Sequence, residues 1–209
     1  FDEYCGDIVY VEVSKKVEED ENLAERRRKI VEEIESGRGR CYELNKKVVE
    51  RVLRDQIKTC WRLGATYNIL NMESQIISLN IWNEIFDKLK EKKLVYRAES
   101  GAKAGCWLLD LSKHPILSKE GDEVLVRSDG TTTYVARDIA YAAWKLGGTS
   151  KDFKYSIWGA NPDGEKIYIT DEAGDIELKM GEVDRVINVI DVRQKRPQEI
   201  VKYALKLLG

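Results

Sequence analysis

Residues 128–148 constrain the fold more than any other part of the chain. Ser128-Asp129-Gly130 is a turn signal, and Thr131, Thr132 and Thr133 follow it with hydroxyls able to cap a helix. Val135, Ile139, Ala142, Ala143 and Leu146 then stand at i, i+4, i+7, i+8 and i+11, the stripe by which a helix faces a core. The spacing predicts a helix over 133–146 that stops at Gly147-Gly148. A second face carries Tyr134, Asp138 and Tyr141 at i, i+4 and i+7. A carboxylate between two phenols can recognise a cation, with flat walls, hydroxyls and a charge supplied together. A solvated polar face would show the same spacing.

Around this helix the pattern alternates between helix and strand. Gly6 to Val13 leans towards a strand. Lys15 to Glu35 reads as one or two surface helices with Leu23, Ile30, Val31 and Ile34 as their stripe, ending at Gly37. A long helix is expected over 41–63, and another over 79–92 with Trp82, Ile85, Phe86 and Leu89 inward. Short runs at 94–97, 106–111 and 123–127 read as strands, as do 155–158 and 166–170 about the turn Asn161-Pro162-Asp163-Gly164. Asp184 to Asp191 reads as the best buried strand, with an apolar run suited to a parallel sheet covered on both faces although Asn188 interrupts it. Pro197 opens a last helix over 198–208, with Ile200, Val201, Ala204, Leu205 and Leu208 inward. A strand, then Val192-Arg193-Gln194, then a helix is half of a doubly wound unit, in which ligands sit beyond the carboxyl ends of the strands. Asp191 and Gln194 fall at that place, where strand termination and helix capping would also put them.

Charge and cysteine usage narrow the function. Lys plus Arg number 35 and Asp plus Glu 37, so a whole-molecule basic field for nucleic acid is absent and an RNA contact must be local. Arg26-Arg27-Arg28-Lys29 could touch a phosphate backbone, but Glu25, Glu32 and Glu33 make a self-paired solvated face the simpler reading. Cys5, Cys41, Cys60 and Cys106 have no metal-ligand spacing, and His114, before Pro115, is read as structural or exposed, so no metal site is expected. Scattered thiols fit a reducing cytosol, and no apolar run approaches the ~18 residues of a membrane span.

The motif Ser-Asp-Gly-Thr-x-Thr-Tyr-x-x-x-Asp-Ile-Ala-Tyr, from Ser128 to Tyr141, resembles the segment of class I arginyl-tRNA synthetases that leads into their arginine-binding helix. Val186 to Gln194 resembles the strand that follows that helix. Trp61-Arg62-Leu63-Gly64, Asn71-Met72-Glu73-Ser74 (with Met72 where the family has Trp) and Trp107 to Leu111 are similar to further family elements. The resemblance implies that Tyr134, Asp138 and Gln194 bind arginine, with Tyr141 and Asp191 as further pocket residues, and it assigns no catalytic residue. It also implies an α/β fold: the second half of a Rossmann-like parallel sheet over 106–209, preceded by a mostly helical insertion region over 1–105. The family carries a His-x-Gly-His and a Lys-Met-Ser-Lys-Ser signature for ATP. With His114 the one histidine the first cannot be present, and Lys179-Met180-Gly181 is not the second. The expectation is an archaeal-like central piece of the catalytic region, inactive alone. Its partners are L-arginine, tRNA(Arg) and the remainder of the synthetase chain, with ATP and Mg2+ used by the complete cytoplasmic enzyme. A non-catalytic synthetase-like paralogue that binds arginine or a protein partner is the alternative.

Overall fold

The computed structural model describes residues 1–209, the side chain of Glu35 excepted. The chain divides into two compact units, Phe1–Asn68 with Gly159–Ile167, and Ile69–Trp158 with Tyr168–Gly209.

The first unit is helical: α1 (Val11–Glu19), α2 (Glu21–Glu35) and α3 (Arg40–Arg62). Asp20 separates α1 from α2, because its backbone is extended (φ −134°, ψ 112°) while its side chain accepts from the Asn22 N–H at 2.8 Å. Glu33 reaches the first turn of α3, where its carboxylate accepts from the Cys41 N–H at 2.8 Å. The strand expected over 6–13 is absent: Tyr4–Tyr10 forms a π-type helix that runs on into α1. Ile8, Val9, Val11 and Val13 are exposed, so their β-branched side chains have no sheet surface to pack on, and without one that preference decides nothing. Ile30 and Val31, expected to face inward, are also exposed. The unit is fastened by Asn161, 5% exposed, whose side-chain oxygen accepts from Trp61 Nε1 at 3.0 Å and from the Tyr67 N–H at 3.3 Å. Its amide nitrogen donates to the Tyr67 carbonyl at 2.8 Å.

The second unit holds the core. Its elements are β1 (Ile69–Leu70), α4 (Ser74–Ser78), α5 (Ile81–Glu91), β2 (Val95–Arg97), β3 (Trp107–Leu109), β4 (Glu123–Val126), α6 (Tyr134–Lys145) and α7 (Lys195–Leu208). The larger parts of β5 (Tyr155–Ala160) and β6 (Lys166–Thr170) belong to it as well. β2, β3 and β4 form an antiparallel meander, and a second sheet has the order β1-β6-β5, with Ile69 opposite Tyr168 in a parallel pairing. Ile81, Ile85 and Leu89 of α5, Leu109, Leu125, Val135 and Ile139 of the sheet and α6, and Ile200 and Ala204 of α7 are buried together. The predicted stripes of α5, α6 and α7 are therefore the core faces, apart from Leu146, which sits past the end of α6 and is 43% exposed. His114 is buried as the structural reading required. Its Nδ1 accepts from the Leu117 N–H at 2.9 Å and the Ile116 N–H at 3.2 Å, and its ring meets Tyr203 edge to face.

The expected buried strand over 184–191 does not form. None of the six strands pairs with it, and a strand without a ladder leaves its backbone polar groups to water. Ile187 and Val189 point into solvent, 79% and 98% exposed. Among the described residues the architecture is thus seven α-helices with two small mixed and antiparallel sheets, an α/β arrangement whose one parallel pair is β1 with β6.

Candidate functional site

α6 is set in place by its first residue. The Thr133 hydroxyl accepts from the Ala136 N–H at 3.3 Å and donates to the Val124 carbonyl at 2.9 Å, tying the helix start to β4. The turn before it is closed by Asp129, whose carboxylate accepts from both the N–H and the hydroxyl of Thr131, at 2.8 and 2.7 Å. At the other end Gly147 takes φ +77°, a backbone state that suits glycine, and terminates the helix.

This anchoring presents Tyr134, Asp138 and Tyr141 on one side of α6. Tyr134 is half exposed. The Tyr141 hydroxyl donates to the Asn71 side-chain oxygen at 2.6 Å, and its ring stacks on Trp144 with centroids 5.5 Å apart. Burial pushes its phenol up to about 12. Asn71 lies just past the carboxyl end of β1, where the loop is fastened to the end of β6. The Thr170 hydroxyl accepts from the Met72 N–H at 2.8 Å, and the Thr170 carbonyl accepts from Gln75 Nε2 at 3.0 Å. The same loop carries Glu73, which takes Arg137 Nε at 2.7 Å.

Asp138 is the anomaly in this constellation. It is half-buried, and among the described residues no hydrogen-bond donor or ion-pair partner is within bonding distance of its carboxylate. Burial raises its pKa, the charge of Glu73 adds to the rise, and Lys145 and Arg137 oppose it. Lys145 leans over the Tyr141 ring, Nζ 4.3 Å from the centroid, and burial lowers its pKa while Asp138 opposes the fall. An unpaired, partly desolvated carboxylate beside aromatic walls is set up to take a cation.

The other sequence candidates stand elsewhere. Gln194 is exposed at the start of α7. Asp191 is exposed and caps the 3-10 turn Val192–Gln194, accepting from the Arg193 N–H at 3.0 Å and from its Nε at 2.7 Å, which holds its pKa below the ordinary range. No hydrogen bond, ion pair or ring contact among the described residues joins either one to Tyr134, Asp138 or Tyr141. Conversely, Asn71, Glu73, Arg137 and Lys145 belong to the constellation and were not named as site residues from sequence, although Asn71 and Glu73 lie in one of the family-like elements. The signal for Lys145 was its register, two turns on from Asp138.

Comparison with known proteins gives this helix a setting. Residues 6–155 match the family model described as tRNA synthetases class I (R), catalytic domain. The arginine–tRNA ligase of Thermococcus kodakarensis is 37% identical over 209 residues, all of this chain and 33% of that protein. The arginine–tRNA ligase of Pyrococcus abyssi is 38% identical over 97% of this chain and 31% of its own length. Among solved structures, Thermus thermophilus arginyl-tRNA synthetase superposes with a TM-score of 0.71 at 30% identity, covering 93% of this chain and 32% of that one. The fold and the family match place the chain among the class I aminoacyl-tRNA synthetases. It belongs to the arginyl-tRNA synthetase family, and it spans about a third of the length of the curated relatives it matches.

Proposed function

We propose that this chain supplies the arginine-recognition part of an arginine–tRNA ligase, which activates arginine with ATP and transfers it to tRNA(Arg). The observation that carries this reading is Asp138: a half-buried carboxylate, without a partner among the described residues, on the helix that bears the family motif. A guanidinium is a planar fork of donors that stays charged at any working pH, and one carboxylate can accept two of those donors. Tyr134 supplies a hydroxyl and a ring four residues before Asp138, and Tyr141 forms the inner wall. Tyr134 and Gln194 hold the ammonium or further donors of the substrate, with Asp191, before the 3-10 turn that leads into α7, as a further pocket residue. The region 106–209 is read as contributing to the Rossmann-like sheet of the complete enzyme, and 1–105 as the helical insertion region.

Class I chemistry is chiefly positioning: the arginine carboxylate is held against the α-phosphate of ATP and the transferring charge is stabilised. Both ATP signatures of the family are missing from this sequence, so this piece alone is inactive. Among the described residues no cluster of His, Cys, Asp or Glu is arranged to hold a metal ion, and the ATP-bound Mg2+ enters none of the steps assigned to these side chains. No helix among them is long and apolar enough to cross a membrane.

The test is Asp138→Asn in the full-length enzyme. Breaking a buried charge pair costs about 3–5 kcal/mol, so arginine-dependent ATP–pyrophosphate exchange should fall by at least two orders of magnitude with the fold intact. Exchange close to that of the unmodified enzyme would overturn the assignment.

A further inference from the structure

Asp138 and Lys145 are two half-buried, oppositely charged groups on one helix, seven residues apart, and neither has an ion-pair partner among the described residues. Seven residues are two turns, about 10 Å along the axis. Helical side chains lean towards the amino end, so Lys145 points back along α6 in the direction of Asp138. Its ammonium lies 4.3 Å from the centre of the Tyr141 ring, between the two positions in sequence. The charged groups that act on Asp138 are Glu73 from the loop after β1, and Arg137 and Lys145 from α6 itself. The phenols on the same side are Tyr134 and Tyr141. Arg137 is already engaged, since its Nε is 2.7 Å from Glu73. Lys145 is therefore the cation left to balance Asp138.

We propose that Lys145 is the built-in counter-cation of Asp138, held over the Tyr141 ring so that the carboxylate stays ionised while no ligand is bound. It is a positioning residue: it acts on the ligand through Asp138. Burial raises the pKa of Asp138, and the neutral acid attracts no cation as a charge. The opposing field of Lys145 limits that rise without occupying the carboxylate, whose acceptor positions stay open. A lysine in direct contact with Asp138 would block the site, whereas one set back over an aromatic face does not. The inference rests on the reading of Asp138 as the arginine carboxylate, yet it can be tested apart from it.

The experiment is a carboxyl-carbon NMR titration of Asp138 in the full-length enzyme, assigned with Asp138→Asn, for the unmodified protein, Lys145→Met and Lys145→Arg. The expected result is a midpoint about half to one pH unit higher in Lys145→Met, restored by Lys145→Arg. Should Lys145→Met fail to fold, Lys145→Gln supplies the same removal of charge. An unchanged midpoint in the folded neutral variant overturns the proposal. L-arginine is titrated into the same samples. A shifted midpoint without arginine binding sinks the arginine reading alone, and arginine binding with an unshifted midpoint sinks the counter-cation alone.

Discussion

At the scale of single residues, the feature that suits Asp138 to a cation also weakens the fold. Its pKa is raised in the folded protein, chiefly by burial. The contribution of such a group is fully present below the ordinary aspartate range near ~4 and is lost as pH rises through the raised value. Above the raised value the folded chain therefore carries a charge that burial disfavours. Asp138→Asn should raise the thermal midpoint at pH 7, and the gain should vanish at pH 3, by calorimetry at both values. A variant that folds better and recognises nothing is the usual trade at a functional site. Sequence led to Asp138 because its spacing with Tyr134 and Tyr141 is a local helical pattern. Glu73 and Asn71 were legible only as part of a family-like element, and their place beside α6 escaped because they arrive from a loop some seventy residues away, an approach no periodicity encodes.

At the scale of elements, what was legible depended on whether an element carries its own start, face and stop. α6 was expected over 133–146 and runs Tyr134–Lys145, because cap, apolar stripe and glycine stop are all written locally. Thr133 serves both the helix and β4, so Thr133→Ala should cost about 1–2 kcal/mol in urea unfolding, with Thr133→Ser recovering most of it. Strands are different, because a β-branched run needs a neighbour to become one. The runs at 95–97, 107–109 and 123–126 have each other, and they form. The runs at 6–13 and 184–191 lack such neighbours, and they do not. Asn161 shows the converse: sequence read it as a turn residue, while its buried amide also holds Trp61 and Tyr67.

At the scale of the whole molecule, the two units differ in how much apolar surface secures them. The buried hydrophobic residues of the first unit, among those described, are Ile57 and Ile167, whereas the second has a continuous core from Ile76 to Ala204. Amide protection in α1, α2 and α3 should therefore be lost at lower urea than in α5, α6 and α7, as hydrogen exchange read by mass spectrometry would show. Asn161→Ala should bring that loss to lower urea still, at a cost of about 1–3 kcal/mol for the polar groups left unpaired. The run over 184–191 has a consequence of another kind. A protease cleft receives its substrate as an extended strand and pairs with its backbone, and here the backbone belongs to no helix or sheet, is largely exposed, and carries Arg185 within the run and Arg193 two residues beyond it. Brief exposure to trypsin should therefore nick the chain first at these arginines, releasing α7 from the rest of the polypeptide in sequence while the core of the second unit is still folded.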